Sequence, residues 1–382
     1  MNLHWKAAAW CKTGLFAVSL GAAVASCGGG GGGGGGDMSM TPPAAMTPPV
    51  TVTASSFATT PLVSDGPGAA HTDANLINAW GLAFNPTGFV WVANNGTSTS
   101  TLYDGSGVPQ TLIVAIPSGT SGPANPTGIV YNGSSDFKVT QNGVSGASAF
   151  IFAGEGGTVA GWSPTVNRTN AVTAVDTGAA GAIYKGLAIA SYAGANYLYA
   201  ADFRHGTVDV YNGSFQKVTL PGGGFADPTL PAGYAPFGIQ AIGGRIYVSY
   251  AQRSGSGPDE VDGAGLGFID VFDPSGALVR RLVSGGALNA PWGMAMAPAN
   301  FGSFSNMLLV ANFGDGKINA FDPATGAPAG TLGTTGGAAI VIDKLWGIAF
   351  GNGLNNQPTN TLFYTAGPGD EAHGLYGRID LH

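Results

Sequence analysis

The chain has 382 residues, of which 44% are hydrophobic and 9% charged, with a net charge of −7, 65 glycines and 24 prolines. So much glycine and proline opposes helix interiors and suits short strands joined by tight turns. No lysine or arginine cluster is larger than Arg280-Arg281. Because phosphate binding needs a basic surface, nucleic acid is excluded as an expected partner.

The first element in chain order is an export signal, predicted over residues 1–26. Lys6 and Lys12 form a basic region beside the short apolar run "TGLFAVSLGAAVA". The following "VASC" resembles a bacterial lipobox, in which the cysteine is acylated and becomes the mature N-terminus. An ordinary secretory signal that contains a cysteine is the alternative. We expect lipidation at Cys27 and an exported lipoprotein in the outer membrane of a Gram-negative bacterium, on its periplasmic or surface side.

Residues 27–54 are predicted to be a flexible tether. Nine glycines, Gly28 to Gly36, are followed by the proline-rich stretch "TPPAAMTPPVTVT". A coil of this length spans roughly 25 Å, which is enough to hold a domain away from a lipid surface.

A repeat begins after the tether and predicts the fold. Six segments share a central glycine: "AWGLAF", "PTGIVY", "YKGLAI", "PFGIQA", "PWGMAM" and "LWGIAF". These glycines (Gly81, Gly128, Gly186, Gly238, Gly293 and Gly347) are 47 to 58 residues apart. In each repeat an apolar strand, an alternating strand and a turn follow, and most repeats add a fourth strand. Four strands in about 40–50 residues are typical of a β-propeller blade.

The sixth repeat ends at "GLYGRIDLH" and lacks a fourth strand. Residues 55–66 precede the first repeat as fourth strands precede the others. We therefore predict an all-β, six-bladed propeller over residues 55–382, in which the N-terminal strand completes the last blade. Closure in this way removes the exposed sheet edge.

The segments "NAWGLAF", "VANNGTSTSTLYDGSG", "ADFRHGTVDVYN", "GLGFIDVFDPSG", "PWGMAMAP" and "TAGPGDEAHGLYG" carry a resemblance over about residues 75–379. They resemble an uncharacterised bacterial family of exported six-bladed propellers related to the NHL and TolB-like group. The resemblance implies the fold, and that family has no agreed activity.

The predicted blades bring two sets of loops to one face: those leading into each inner strand and those joining the second strand to the third. Such a rim is where a ligand is expected to bind. These loops also carry Lys185, Phe237 and Lys344. The candidate ligand-binding residues are Asn78, Trp80, Asn95, Glu155, Asp202, Arg204, His205, Trp292, Asn312, Trp346, Asp370, Glu371 and His373.

Two rim clusters have more than one interpretation. In "ADFRHG", Asp202 either caps a turn and pairs with Arg204, or the cluster offers an acid, base or ligand to the channel. In "GPGDEAHG", Asp370, Glu371 and His373 are either a solvated loop or a set of oxygen and nitrogen ligands.

Two calcium sites are predicted as alternatives. The insertion "SGSGPDEVDGAGLG" carries Asp259, Glu260 and Asp262, which are hard oxygen donors suited to Ca²⁺ if the loop is not simply exposed. The other set faces the channel and consists of Glu155, Asn95, Asn312 and Asp202.

The aromatic residues that precede the repeat glycine (Trp80, Phe237, Trp292 and Trp346) either pack the blades or form a collar that stacks sugar rings. The sequence has no G-x-S-x-G, H-E-x-x-H or paired C-x-x-C motif. We expect a monomeric, lipid-anchored binding or scaffold module of the cell envelope, with a protein or glycan partner and membrane contact through the anchor alone. The alternative is a calcium-dependent lactonase- or esterase-like hydrolase.

Overall fold

The computed structural model of the protein describes residues 55–255 and 257–382, which belong to one compact unit. The predicted signal, the tether and Cys27 lie outside the described residues. Within them, no helical segment combines the length and the apolar character needed to cross a membrane.

Six antiparallel sheets surround a central channel, so the predicted six-bladed propeller is confirmed. The innermost strands contact one another in a closed cycle, from blade 1 through blade 6 and back to blade 1. Blade 1 consists of β3 (Ala79–Phe84), β4 (Val90–Asn94), β5 (Thr99–Tyr103) and β6 (Pro109–Ala115). Blade 2 consists of β7 (Pro126–Tyr131), β10 (Phe150–Gly154), β11 (Thr158–Trp162) and β12 (Val172–Asp176). Blade 3 consists of β13 (Tyr184–Tyr192), β14 (Ala195–Asp202), β15 (Thr207–Asn212) and β16 (Lys217–Val218).

The remaining blades follow the same order from the channel outward. Blade 4 consists of β17 (Tyr234–Ile242), β18 (Arg245–Arg253), β20 (Phe268–Phe272) and β21 (Leu278–Ser284). Blade 5 consists of β22 (Pro291–Met296), β23 (Leu308–Asn312), β24 (Ile318–Phe321) and β25 (Pro328–Thr331). Blade 6 consists of β26 (Leu345–Phe350), β27 (Leu362–Ala366), β28 (Leu375–Leu381) and β1 (Phe57–Ser64).

Several short elements decorate the blades. The hairpin β8 (Lys138–Gln141) and β9 (Val144–Ala147) lies between β7 and β10, β19 (Glu260–Val261) pairs with β18, and β2 (His71–Thr72) pairs with β1. Single 3-10 turns cover Asn95–Thr97, Gly178–Ala180 and Gly302–Phe304. The pair Asn142-Gly143, at φ 52° and 78°, turns the hairpin as this dipeptide commonly does.

The repeat glycines set the spacing between inner strands. A Cβ on Gly238 would lie 2.1 Å from the carbonyl oxygen of Trp292 in the next blade, and a Cβ on Gly128 would lie 2.3 Å from the amide nitrogen of Leu187. Real side chains never come so close to backbone atoms, so only glycine permits this approach. The repeat that predicted the fold is therefore a packing requirement at the channel wall.

Buried hydroxyl groups also join every second pair of blades. Thr127 donates to the carbonyl of Tyr184 at 2.7 Å, and Ser249 donates to the carbonyl of Pro291 at 2.7 Å. Thr365 donates in the same way to the carbonyl of Trp80. These bonds link blade 2 to blade 3, blade 4 to blade 5 and blade 6 to blade 1, and each satisfies a backbone carbonyl at the crowded inner wall.

The ring closes where β1 pairs with β28 in antiparallel register, from Phe57 opposite Leu381 to Ser64 opposite Leu375. The register shifts once, between Pro61 and Val63. Phe57 is 1% exposed and packs on Phe301 of blade 5 at a centroid distance of 4.9 Å. The predicted closure of the last blade by the N-terminal strand is confirmed.

Candidate functional site

Lys185 is the centre of a charged cluster at one mouth of the channel. It lies on β13, directly before the repeat glycine of blade 3, and its side chain is 3% exposed. Its Nζ lies 2.7 Å from Oε1 of Glu155 and 3.6 Å from Oε2 of Glu260. A buried ammonium needs such partners because desolvation of an isolated charge is very costly.

The charges of this cluster depend on one another. Burial would lower the pKa of Lys185, but the Glu155 and Glu260 carboxylates outweigh burial and raise it, so the ammonium stays protonated. Burial raises the pKa of Glu260 against the opposing influence of Lys185. Burial also raises the pKa of Glu371, and the nearby charge of Glu260 adds to that shift.

Two asparagine side chains extend the cluster across blade 1. Asn78 Nδ2 donates to Oε2 of Glu371 at 2.6 Å, and Asn95 Nδ2 donates to Oε2 of Glu155 at 2.9 Å. Asn78 has φ 46°, a left-handed conformation that asparagine tolerates better than most residues. The channel-mouth cluster, as we call it below, consists of Asn78, Asn95, Glu155, Lys185, Glu260 and Glu371.

Aromatic rings fill the channel beside this cluster. Trp80 and Trp346 are stacked at a centroid distance of 3.6 Å, and Phe313 stacks on Trp346 at 4.1 Å. Lys185 Nζ lies 5.0 Å from the centroid of Trp80, within the range of a cation–π interaction. The aromatic plug consists of Trp80, Phe203, Phe237, Trp292, Phe313 and Trp346.

Two roles were predicted for the aromatic repeat positions, packing of the blades or an open collar, and burial of the plug favours packing. Trp80, Phe237 and Trp346 are at most 1% exposed, which corresponds to packing rather than to an open collar for sugar rings. Trp292 is half-buried, and its Nε1 donates to the carbonyl of Lys185 at 2.7 Å. Next to the plug the channel narrows to a cavity of about 40 Å³ whose wall includes Gly81, Gly128, Gly293 and Gly347.

The "ADFRHG" loop forms a capped turn. Asp202 Oδ1 accepts from the amides of Ile183 and His205, both at 3.2 Å, and its Oδ2 lies 2.7 Å from Nδ1 of His205. The partner of Asp202 is thus His205, whereas the sequence analysis paired it with Arg204. Arg204 is exposed, and its carbonyl accepts from Nη1 of Arg253 at 2.8 Å.

The three residues of "GPGDEAHG" point to different places. Glu371 enters the channel-mouth cluster, while Asp370 is exposed and lies 3.9 Å from Nζ of Lys344. His373 pairs with Asp65, 2.9 Å from Nδ1 to Oδ2. Two consecutive left-handed residues, Asp370 at φ 58° and Glu371 at φ 66°, make the sharp turn that separates these side chains.

The insertion in blade 4 likewise separates its carboxylates. Glu260 lies in β19 and turns toward Lys185, Asp262 lies 3.4 Å from Nζ of Lys344, and Asp259 is exposed. Among residues 55–255 and 257–382, no group of three or more His, Cys, Asp and Glu side chains is arranged to hold a metal ion.

The predicted channel set of calcium ligands is only partly brought together. Asn95 and Glu155 are hydrogen-bonded, but Glu155 faces the ammonium of Lys185. Asn312 donates instead to the carbonyl of Ala287 at 2.8 Å and to Oδ1 of Asp315 at 3.0 Å. A lysine therefore stands beside the carboxylate that the sequence analysis assigned to calcium.

Sequence reasoning did not anticipate three residues of the ion pairs described above. Lys185 was placed on the rim but not among the candidate site residues, Glu260 was assigned to a loop site, and Asp65 was not singled out. The position of Lys185 in the repeat was a usable signal, since four of the five other repeats have Trp or Phe at that place. The partnership of Asp65 with His373 had no local signal, because 308 residues separate them.

The fold and this channel mouth define a six-bladed β-propeller with a plugged channel. No family model matches the chain. It is 34% identical over 317 residues to uncharacterized protein R648 of Acanthamoeba polyphaga mimivirus, covering 81% of this chain and 76% of that protein. It is 32% identical over 321 residues to uncharacterized protein L690 of the same virus, covering 81% of this chain and 82% of that protein. The chain belongs to the family of these mimivirus proteins.

This membership corrects the resemblance drawn from the sequence, and the assignment to a bacterial exported family was wrong. The repeat motifs that carried it are packing requirements of the blades, so they identify the fold but not the source of a relative.

Solved structures support the fold. The superposition on a crystal structure of glucose dehydrogenase covers 84% of this chain and 99% of that chain, at 12% identity and a TM-score of 0.50. A second structure of that name gives a TM-score of 0.51 at 12% identity, covering 85% of this chain. At this identity the similarity shows the propeller fold alone.

Proposed function

We propose that this propeller is a binding module that presents the face around the channel-mouth cluster to a protein or glycan partner. One observation carries the proposal: the centre of the face is filled by the chain's own residues. Lys185 is buried, paired with Glu155 and Glu260, and kept protonated, so it is unsuited to act as a nucleophile or base.

The groups available to a partner surround this centre. Arg204, His205, Asp370 and His373 are exposed, and Trp292 and Lys344 are half-buried. Charges of both signs with one accessible aromatic ring suit recognition of a polar surface, because such side chains supply hydrogen bonds and stacking without requiring a deep pocket.

The experiment compares the two faces of the ring. A photo-crosslinking amino acid replaces His205 on the proposed face or Lys138, on the hairpin of the opposite face, in the full chain produced in cells. We expect a discrete adduct from position 205 and none from position 138. Protease digestion of the adduct then distinguishes a protein partner, which is degraded, from a glycan partner, which is not. Equal labelling from both positions would contradict the proposal.

The calcium-dependent hydrolase alternative stays a prediction. It requires Ca²⁺ to raise the melting temperature of the protein, since a bound ion stabilises the folded state, and it requires Asn312→Ala or Asp202→Ala to abolish that shift. Turnover of a lactone in the presence of Ca²⁺ would favour this alternative over the binding module.

Export and lipid anchoring also remain proposals, supported by the sequence of residues 1–54 alone. If Cys27 carries lipid, Cys27→Ala should move the protein from the membrane fraction to the soluble fraction of a Gram-negative host. Unchanged fractionation would refute the anchor and leave the binding face unaffected.

A further inference from the structure

A second site lies at the seam of the ring, where the N-terminal strand meets the last blade. Asp65 directly follows β1 and His373 lies two residues before β28, so the pairing of these two strands brings the side chains together. Asp65 Oδ2 lies 2.9 Å from Nδ1 of His373, and its Oδ1 accepts from the amide of Gly374 at 2.9 Å.

The contacts of Asp65 determine which nitrogen of a neutral His373 ring carries the hydrogen. Burial opposes ionisation of Asp65, but the Gly374 amide and His373 outweigh it and lower its pKa. The carboxylate can therefore only accept a hydrogen bond, so in the neutral ring Nδ1 carries the hydrogen and Nε2 is the acceptor. Nε2 has no hydrogen-bond partner within residues 55–255 and 257–382.

His373 lines a pocket of about 410 Å³, which we call the seam pocket. Its apolar wall includes Pro61, Pro67, Pro368 and Leu375. This volume falls in the range of ordinary small-molecule sites, which combine an apolar wall with a few placed polar groups. Ser64 also lines the pocket, but its hydroxyl donates to the carbonyl of Gly66.

We propose that the seam pocket binds a small, mainly apolar molecule that carries a hydroxyl group, and that this hydroxyl donates to Nε2 of His373. The prolines and Leu375 contact the apolar body of the molecule. Asp65 accepts the hydrogen bond from Nδ1 of His373, which leaves Nε2 available as the acceptor. The site shares His373 with the proposed binding face but differs from it in what it recognises, because it takes one small molecule rather than a polar surface.

The first test needs no substitution. The full chain, labelled with ¹³C at Cε1 of its five histidines, is titrated with 4-ethylphenol and with 4-ethylanisole, whose methoxy group has one more methyl and no hydroxyl hydrogen. We expect 4-ethylphenol to shift the His373 signal saturably, and 4-ethylanisole to bind about three- to tenfold more weakly, as one lost hydrogen bond implies. Equal dissociation constants, or no saturable shift, would overturn the proposal.

His205 is the matched control, since its Nδ1 also pairs with an aspartate, 2.7 Å from Oδ2 of Asp202, but it does not line the seam pocket. Its signal should not respond. His373→Phe keeps a ring but removes the acceptor, so it should erase the preference for the phenol while retaining binding of the anisole. His205→Phe should retain the preference. A preference that survives in His373→Phe would show that the hydroxyl is recognised elsewhere.

Discussion

Lys185 Nζ lies 2.7 Å from Oε1 of Glu155, and this ion pair joins blade 3 to blade 2 at the mouth of the channel. Glu260 approaches the same nitrogen from the insertion of blade 4. Three consecutive blades therefore share one buried ammonium, and its removal leaves carboxylates of two blades without their cation.

Lys185→Met should destabilise the domain by about 3–5 kcal/mol, because breaking a buried ion pair from one side leaves uncompensated charge. Urea denaturation followed by circular dichroism measures the loss. Lys317→Met is the matched control: Lys317 and Asp315 are 3.1 Å apart, but their side chains are 40% and 28% exposed. For Lys317→Met we expect the free energy of unfolding to fall by about 0–1 kcal/mol. Equal losses in both variants would mean that Lys185 is not held as described.

Gly238→Ala should lower the free energy of unfolding by about 3 kcal/mol. The new methyl group would lie 2.1 Å from the carbonyl oxygen of Trp292, and the backbone can move away only at a large energetic cost. The control is Gly336→Ala, where the nearest atom would be Oγ1 of Thr334 at 3.9 Å and the change should stay within about 0.5 kcal/mol. Thermal unfolding of the two variants gives the comparison. A harmless Gly238→Ala would contradict the role of the repeat glycines.

Asp270 should make stability depend on pH. Burial outweighs its bond from Nε of Arg281, at 3.1 Å, and raises its pKa to about 6, above the ordinary 3.8. Between these values the folded state holds a proton that the unfolded chain releases, so stability falls as the pH rises from about 4 to about 6. The stability of Asp270→Asn relative to wild type should therefore rise over this range, as measured by urea midpoints at pH 4.5 and pH 7.

Asp322 provides the opposite case for the same measurement. Its pKa is lowered, first of all by the backbone amide of Thr325. The contribution of its ionised carboxylate to folding stability is therefore complete above about pH 4 and is lost only in stronger acid. The difference between Asp322→Asn and wild type should stay flat from pH 4.5 to pH 7. A parallel trend in the two variants would argue against the buried environment of Asp270.

Phe57→Ala should destabilise the whole ring by about 3–5 kcal/mol, because it removes a buried ring from the strand that closes blade 6. Val341→Ala is the control, at a side chain that is 62% exposed, and should be nearly neutral. A chain that begins at residue 67 should lose cooperative unfolding altogether. If that truncation unfolds like the full chain, the closing strand is dispensable.

The blades were predictable because their signals are local and repeated. Gly81 and its five counterparts recur at regular intervals, and each is followed by strand and turn residues that do not depend on distant contacts. The pairing of residues 55–66 with the C-terminal strand followed from the same repeat. The hairpin at Lys138–Ala147 was not predicted, although Asn142-Gly143 between alternating residues indicated it.

The candidate site was predictable only as a face. The repeat placed Asn78, Glu155 and Glu371 on one rim. Asn78 donates to Glu371, and Asn95 links Asn78 to Glu155. What their side chains contact depends on tertiary packing: Glu260 reaches the channel from an insertion, and Lys185 stands where four other repeats have an aromatic residue. The sequence could not show that an ammonium, rather than an ion from solution, lies among the carboxylates.

The seam also determines how the ring responds to force. Phe57 lies opposite Leu381, so the first residue of the closing strand and the last residues of the chain leave the sheet at the same corner. A load that pulls these two ends apart acts on the hydrogen bonds between β1 and β28 one pair at a time, as in opening a zipper, rather than on all of them together. The ring should therefore open at low force and from this blade first, while the five other blades are still folded.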